Sequence, residues 1–327
     1  LVRNSTERLE KSSSDGLPLA VQTCLAFVVD KMADKSSSLC RWKASAEYMA
    51  GNTFGRQALP MVWDFCETNV FGNVTGDIAS EVEWIEKMLT HGASSLLVAG
   101  HAELASATSQ SLPNDAAQAF ITDPPYYYSV QYADLSDFFY VWLRRTIGDK
   151  YAGLLDADQT PKEDEIIVQS PGHQFAAEGK NNRFYEDRMK AAMQDSRRVL
   201  APSGIGVVVF AHTSTSAWES QLQAMLEAGW IVTGSWPIDT EMAGRVIAQG
   251  RSVLASSIHL VCRPRENSDG SVRTDEIGDW RDVLQELPHR IHEWMPRLAE
   301  EGVVGADAIF ACLGPALEIF SRYARVE

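Results

Sequence analysis

Long apolar runs are missing from this chain: nowhere in its 327 residues do the roughly 18 consecutive apolar residues of a membrane span occur. No signal-peptide succession of basic, apolar and small residues opens it, so a soluble, cytoplasmic protein without a membrane partner is expected. Cysteine is scarce. Its five residues (Cys24, Cys40, Cys66, Cys262 and Cys312) are scattered, odd in number and without a CxxC pair. That speaks against a disulfide framework, suits a reducing compartment and leaves no metal site visible. Basic residues are outnumbered, 29 against 44 acidic, for a formal charge of -15. An extensive phosphate-binding surface is argued against, because phosphate contacts are made by lysine and arginine. Two local basic groups remain, Arg144, Arg145 and Lys150, then Arg183, Arg188, Lys190, Arg197 and Arg198. Each is open to a phosphate-contact reading or to that of a solvated helix face.

What is present suffices for a core: a hydrophobic share of 45% over this length allows one large α/β domain with accessory helices, or two domains. Residues 1–16 are polar and serine-rich and read as a lead-in helix or strap with a loop. Helices are expected from Leu17 to Lys31, from Ser45 to about Ala50, and from Ile78 to Leu89 with Gly92 beyond the end; Ile78, Val82, Ile85 and Leu89 share one face. The aromatics between Trp63 and Phe71 read as core packing in preference to a base-stacking platform. From residue 94 the rhythm becomes strand, helix, strand. Ser94–Ala99 and Ala119–Thr122 are short β runs, Tyr132–Arg145 is an amphipathic helix, and residues 148–182 are long, polar and without strong periodicity. A helix over Arg183–Leu200 stops at Pro202-Ser203-Gly204, and the strand Ile205–Phe210 follows. Ser216 with Glu219 forms a capping box for a helix ending at Gly229. Trp230–Trp236 and Ala255–Val261 are strands joined without a confident helix, so the last runs antiparallel to its neighbour. Residues 266–276 read as a linker, and Trp280–Leu298 with Ala306–Tyr323 as a helical appendage. The organisation expected is an N-terminal helical region (1–92), an α/β domain (93–265) and a C-terminal helical appendage (266–327).

Asp123-Pro124-Pro125-Tyr126 follows the Ala119–Thr122 strand, at the carboxyl end where open α/β sheets bind ligands. An exocyclic amine on a base is a poor nucleophile, its lone pair being delocalised into the ring. Alkylating it requires holding the nitrogen in a tetrahedral, hydrogen-bonded geometry. The Asp123 carboxylate and the Pro124 carbonyl are two suitable acceptors, and the two prolines fix φ so that both point the same way. Tyr126 offers a face on which a flipped base can stack. The plainer reading is an ordinary strand-to-loop turn, since Asp-Pro often opens turns.

Asp-Pro-Pro-Tyr resembles the signature of amino-group methyltransferases that use S-adenosylmethionine. Its continuation, Tyr127 to Arg145, is similar to the bacterial adenine-specific DNA methylases that carry a zinc ribbon, several of them associated with anti-phage defence. Further similarity lies at Trp63-Asp64-Phe65, Val209-Phe210-Ala211-His212, Ser256-Ser257-Ile258, Cys262-Arg263-Pro264-Arg265 and Gly314-Pro315-Ala316-Leu317-Glu318, spanning about residues 60 to 325. The resemblance implies a class I S-adenosylmethionine-dependent methyltransferase (Rossmann-like) sheet with helical appendages. It implies transfer of a methyl group from S-adenosylmethionine to the amine of adenine, and DNA as partner. Cytosine-amine methylation uses the same constellation, with serine more usual in place of Asp123, and RNA or a protein amide is a further rival substrate. A non-catalytic interaction subunit of a defence complex is the alternative from another class.

Other residues follow from the resemblance. Gly100, His101 and Ala102 occupy the place where related enzymes line the donor's adenine, often with Gly-Asp-Ala; histidine here replaces the aspartate. Thr122 is assigned with them to the donor. Tyr127, Lys162 and His212 are substrate-side candidates, Lys162 otherwise reading as a solvated loop lysine and His212 as a histidine tied to backbone at a strand end. A methyltransferase of this fold also needs a glycine-rich turn after its first strand and an acidic residue after its second. Neither stands upstream of Asp123, and Phe71-Gly72-Asn73-Val74-Thr75-Gly76 reads as a loop. Leu1 is not an initiator methionine. The expectation is therefore a catalytic half, its sheet incomplete at the N-terminal side, with the donor-binding half in a missing N-terminal segment or a partner subunit.

Overall fold

A computed structural model describes residues 2–11, 13, 15–43, 49–55, 58–59, 61–73, 76–95, 98–125, 130–169, 180–210, 215–239, 256–267, 270–301, 303, 308 and 311–327. The chain forms two compact units, Leu1–Ala102 with Val130–Glu165, and Glu103–Ser129 with Ile166–Glu327.

The first unit is helical. Its elements are α1 (Val2–Glu10), α2 (Leu17–Lys35), α3 (Ile78–Ser95) and α4 (Tyr132–Ile147), with a two-stranded antiparallel ribbon of β1 (Trp42–Lys43) and β2 (Met49–Ala50). Gly16 precedes α2 at a φ of 83°, a left-handed turn that admits glycine without strain, and Pro18 lies in the first turn, where no amide hydrogen is needed. The buried Gln22 side chain donates to the carbonyl of Thr146 and lies within hydrogen-bond reach of the Thr6 hydroxyl, linking α2 to α4 and α1. Three sequence expectations are corrected in this unit. Met49–Ala50 is a strand, so the helix expected from Ser45 is not formed there; residues 44–48 lie outside the described set. Helix α3 runs through Gly92 to Ser95, so no strand starts at Ser94, and Val98 and Ala99 have no regular structure. One glycine is a weak stop when the residues around it continue to favour helix. The aromatics of residues 63–71 are not core, because Trp63 is 92% exposed and Phe71 76%. Asn73 and Gly76 both take positive φ, as befits the loop expected there.

The second unit carries the main sheet. Its elements are β3 (Ala117–Thr122), α5 (Asn182–Val199), β4 (Leu200–Phe210), α6 (Thr215–Glu227), β5 (Trp230–Asp239), β6 (Ser256–Pro264), β7 (Ile277–Gly278), α7 (Trp280–Glu300), α8 (Leu313–Arg322) and β8 (Arg325–Val326). The strand order is β3-β4-β6-β5. β3 pairs with β4 in parallel, and β6, antiparallel to both β4 and β5, lies between them. β3, β4 and β5 thus run the same way, with their carboxyl ends at one end of the sheet.

The β-branched run Ile205-Gly206-Val207-Val208-Val209 favours an extended chain. Gly206, Val208 and Phe210 alternate onto the buried side of β4. The core there is shared with Tyr185, Met189 and Met193 of α5, Trp218 and Met225 of α6, and Ile258, Leu260 and Cys262 of β6. The expected break at Pro202-Ser203-Gly204 lies inside the strand: β4 begins at Leu200, directly after α5. The extra residues are absorbed as an irregularity, Ala117 pairing Leu200 while Ala119 pairs Ile205. Ser216 is not the N-cap of α6, since the helix begins at Thr215. Gly229, at a φ of 86°, turns the chain into β5.

The C-terminal helices belong to this same unit. Ser321 of α8 accepts a hydrogen bond from the Val232 amide at 2.9 Å, satisfying an edge group of β5. The buried Arg265 donates to the carbonyls of Leu226, Ser321 and Tyr323. Glu318 accepts from Arg290 of α7 at 2.6 Å and from Arg322 at 2.8 Å. No described helix is long and apolar enough to cross a membrane, and all five cysteines are free thiols.

Candidate active site

β3 is the edge strand, and Ile121 on it is 72% exposed. Thr122, its last residue, stands beside Val208 of β4. The ladder stops where proline begins, because Pro124 and Pro125 carry no amide hydrogen with which to continue it. Asp123 is exposed, Pro124 buried and Pro125 partly buried. The carboxylate is thus accessible at the end of the sheet where β3, β4 and β5 terminate, while the prolines behind it are embedded. Asp239 and Ser256, paired across β5 and β6, lie at that same end. Tyr126, Tyr127 and His212 lie outside the described residues.

One interaction here was not legible in the sequence. Tyr185, in the first turn of α5, donates its phenol hydrogen to the Pro125 carbonyl at 2.6 Å. Its ring is only 1% exposed and belongs to the core. Asn181 caps the helix, its side chain accepting from the Phe184 amide, and thereby sets the entry angle of the turn that carries the tyrosine. The two partners are 60 residues apart, and no local motif announces such a pair.

The segment leading into β3 is also tied down. Arg198 donates to the carbonyls of Gln110 and Leu112 and to the Asn114 side chain, and Asp195 accepts from the Gln110 amide at 2.7 Å. Burial pushes the Asp195 carboxyl up, but Arg198 and the Gln110 amide outweigh it and hold the group below the ordinary carboxylate range. Arg198 is therefore a structural anchor. Other members of its basic group are compensated: Arg197 pairs with Glu266, Lys190 with Glu227, and Arg183 with Asp187 at 3.6 Å. In the helical unit Arg144 pairs with Asp158 and Lys150 with Glu10, and Arg145 lies over the Trp142 ring. These cations are thus engaged with groups of the protein itself, and Arg197, only 15% exposed, does not lie on a solvated face.

The remaining candidates fall in the helical unit. Gly100, His101 and Ala102 are exposed and follow no strand among the described residues; 94–95 are helical, 98–99 have no regular structure, and residues 96–97 lie outside the described set. Lys162 is no solvated loop lysine: its ammonium is within 2.7 Å of Asp137 and 3.9 Å of Asp134, with only 16% of the side chain exposed. Burial pushes the Asp137 carboxyl up, yet Lys162 and the Thr160 amide and hydroxyl outweigh it and hold it below the usual range. This pair fixes the polar segment after α4 to that helix. Among the described residues no group of three or more His, Cys, Asp or Glu could hold a metal ion.

These features define a mixed α/β protein with a four-stranded mixed sheet and an acidic residue displayed at the carboxyl end of its edge strand. No protein-family model, curated protein or solved structure matches the chain.

Proposed function

We propose that this protein is a DNA methyltransferase, or the catalytic half of one, acting on the exocyclic amine of adenine with S-adenosylmethionine as methyl donor. The observation that supports this reading is Asp123-Pro124 at the carboxyl end of a parallel strand. It belongs to a sheet in which the last strand, antiparallel, lies between its two predecessors. That insertion is the arrangement of the class I methyltransferase sheet, and it is the fold we assign.

The exposed Asp123 carboxylate accepts one amine hydrogen and the Pro124 carbonyl accepts the other. The nitrogen is drawn out of conjugation and its lone pair points away from both acceptors, where it would take the donor's methyl as the carbon–sulfur bond breaks and the neutral thioether leaves with the electron pair of that bond. Catalysis is then mainly positioning, since a bound and oriented amine needs neither a covalent nucleophile nor a strong base. The nitrogen's acidity rises once it is alkylated, so Asp123 receives the proton only afterwards. Tyr126 holds the flipped base.

The described residues fit the amine and not the donor: no glycine turn follows the carboxyl end of a strand of the main sheet among them. We infer that a partner subunit or segment supplies that turn on a strand added at the outer edge of β3. Within the sheet unit Thr122 is the donor-side candidate and Tyr127 and His212 are those of the substrate side. Cytosine and RNA are the substrates to be tested against adenine in DNA.

A second reading, an interaction subunit without catalysis, is favoured by the exposed aromatics around Trp63 and by the compensation of the basic groups. Mass spectrometry of nucleosides after incubation with labelled donor separates the two. Asp123→Ala, at an exposed position, is expected to leave folding intact and to lower transfer at least ~100-fold, the scale of losing an oriented hydrogen-bonding group. Unchanged methylation by that variant removes the mechanism. Absence of donor binding by calorimetry, with the chain alone and with its partner, favours the interaction subunit.

A further inference from the structure

We propose that Tyr185 is a positioning residue that holds the Asp123–Pro124 acceptor pair in working geometry through the Pro125 carbonyl. The inference rests on the methyltransferase reading and adds to it a residue that no sequence motif marks.

Beyond Thr122 the backbone is poor in hydrogen-bond donors. Asp123 contributes the only amide hydrogen across residues 123–125, because both prolines lack one. The sheet ladder therefore cannot extend past the strand. The three carbonyls of this stretch can only accept, and a carbonyl taken out of water needs a donor. Tyr185 provides one, at 2.6 Å, to the last of the three.

The donor is well suited to act as a fixed point. Its ring is 1% exposed, packed in the core with Met189, Val208 and Phe210, and it rises from the capped end of α5. A phenol has two side-chain torsions, and both are restrained when the ring is enclosed. The hydroxyl thus holds a fixed place relative to the sheet. The proline rings set φ at residues 124 and 125, and a following proline confines Asp123 and Pro124 to extended conformations. What stays adjustable is the rotation of the successive peptide planes. Fastening the Pro125 carbonyl to α5 removes most of that rotation, and with it the freedom of the Pro124 carbonyl to turn away from a bound amine.

Tyr185→Phe keeps the ring and its packing and deletes only the hydroxyl. With the chain and any partner needed for donor binding, kcat is expected to fall about 10-fold, the equivalent of one hydrogen bond's worth of positioning. KM for DNA stays within about twofold, because uniform binding is untouched. Hydrogen exchange at the Asp123 amide, followed by mass spectrometry, is expected to speed up about 10-fold as the loop loosens. Wild-type transfer matched by the variant overturns the inference and leaves the methyltransferase reading standing. A loss of activity equal to the loss of folded protein by near-ultraviolet circular dichroism, with Asp123 exchange unchanged, overturns it too. No transfer by wild type, together with faster exchange at Asp123 in the variant, removes the methyltransferase reading while upholding Tyr185 as the element that fixes this loop.

Discussion

Gly206→Ala tests how tightly the sheet that presents Asp123 is packed. Gly206 pairs with Phe120 of β3 on one side and Cys262 of β6 on the other, at the middle of the sheet. A methyl group there meets the Trp230 ring, with Cζ3 at 2.5 Å and Cη2 at 2.9 Å. Carbon atoms in contact normally sit about 3.5–4.0 Å apart, so ring or strand must move by about 1 Å. The ring is not free to retreat, because its indole N–H donates to the Met193 carbonyl at 3.0 Å and the whole side chain is buried. Overpacking costs about 1–3 kcal/mol. Stretching a buried hydrogen bond out of range adds about 1–3 kcal/mol, and the stiffer unfolded chain returns about 0.5–1 kcal/mol. The net destabilisation expected is about 1–5 kcal/mol, readable by urea unfolding and by exchange protection at Val208 and Leu260. Trp230→Phe removes the offending end of the indole. The double variant should therefore be more stable than the sum of the singles by at least about 1 kcal/mol. Additive effects, or a loss below about 0.5 kcal/mol for Gly206→Ala alone, would refute the contact.

Two further outcomes are expected. Asp30 of α2 has a buried Oδ1 without a hydrogen-bond partner among the described residues, and burial pushes its carboxyl up to about 7. The folded state therefore retains a proton that the unfolded chain releases near pH 4, and stability falls as pH rises from about 4 to 7, then levels. After allowance for solvent screening at this half-buried site, the change amounts to roughly 1–2 kcal/mol. Asp30→Asn should flatten that part of the profile in urea melts at fixed pH values, and an unchanged slope refutes the assignment. Gly314→Ala places a methyl group against the Cβ of the buried Ser235, where α8 meets β5. A loss of about 1–3 kcal/mol and faster exchange at the Val232 amide are expected, whereas wild-type melting would mean the helix is not held that close.

Sequence periodicity locates the strands and helices of the sheet unit well, because its β-branched runs and amphipathic helices are bounded by turn residues that do what their types suggest. Gly229 and the chain around Asp123 are examples. It misjudges places where tertiary pairing overrides a local signal. Pro202-Ser203-Gly204 looks like a stop but is accommodated inside β4, since the neighbouring β3 yields register there. Gly92 looks like a helix end but sits within α3. The aromatics at 63–71 look like core, and a hydrophobic side chain does not itself say which surface it faces. At the candidate site, Asp123 and Pro124 are legible because their chemistry is local. Tyr185 is not, because its role depends on a partner brought near only by the fold, and the compensated state of Lys162 is hidden for the same reason.

The placing of β6 between β4 and β5 also shapes how the molecule can be made. A ribosome delivers β4 and β5 well before β6, yet neither can adopt its final neighbours until residues 256–264 have emerged. During that interval two apolar strands wait with open flanks, the kind of nascent species that associates wrongly or engages chaperones. Shortened translation products ending before residue 256 should therefore accumulate as aggregates instead of as smaller folded domains.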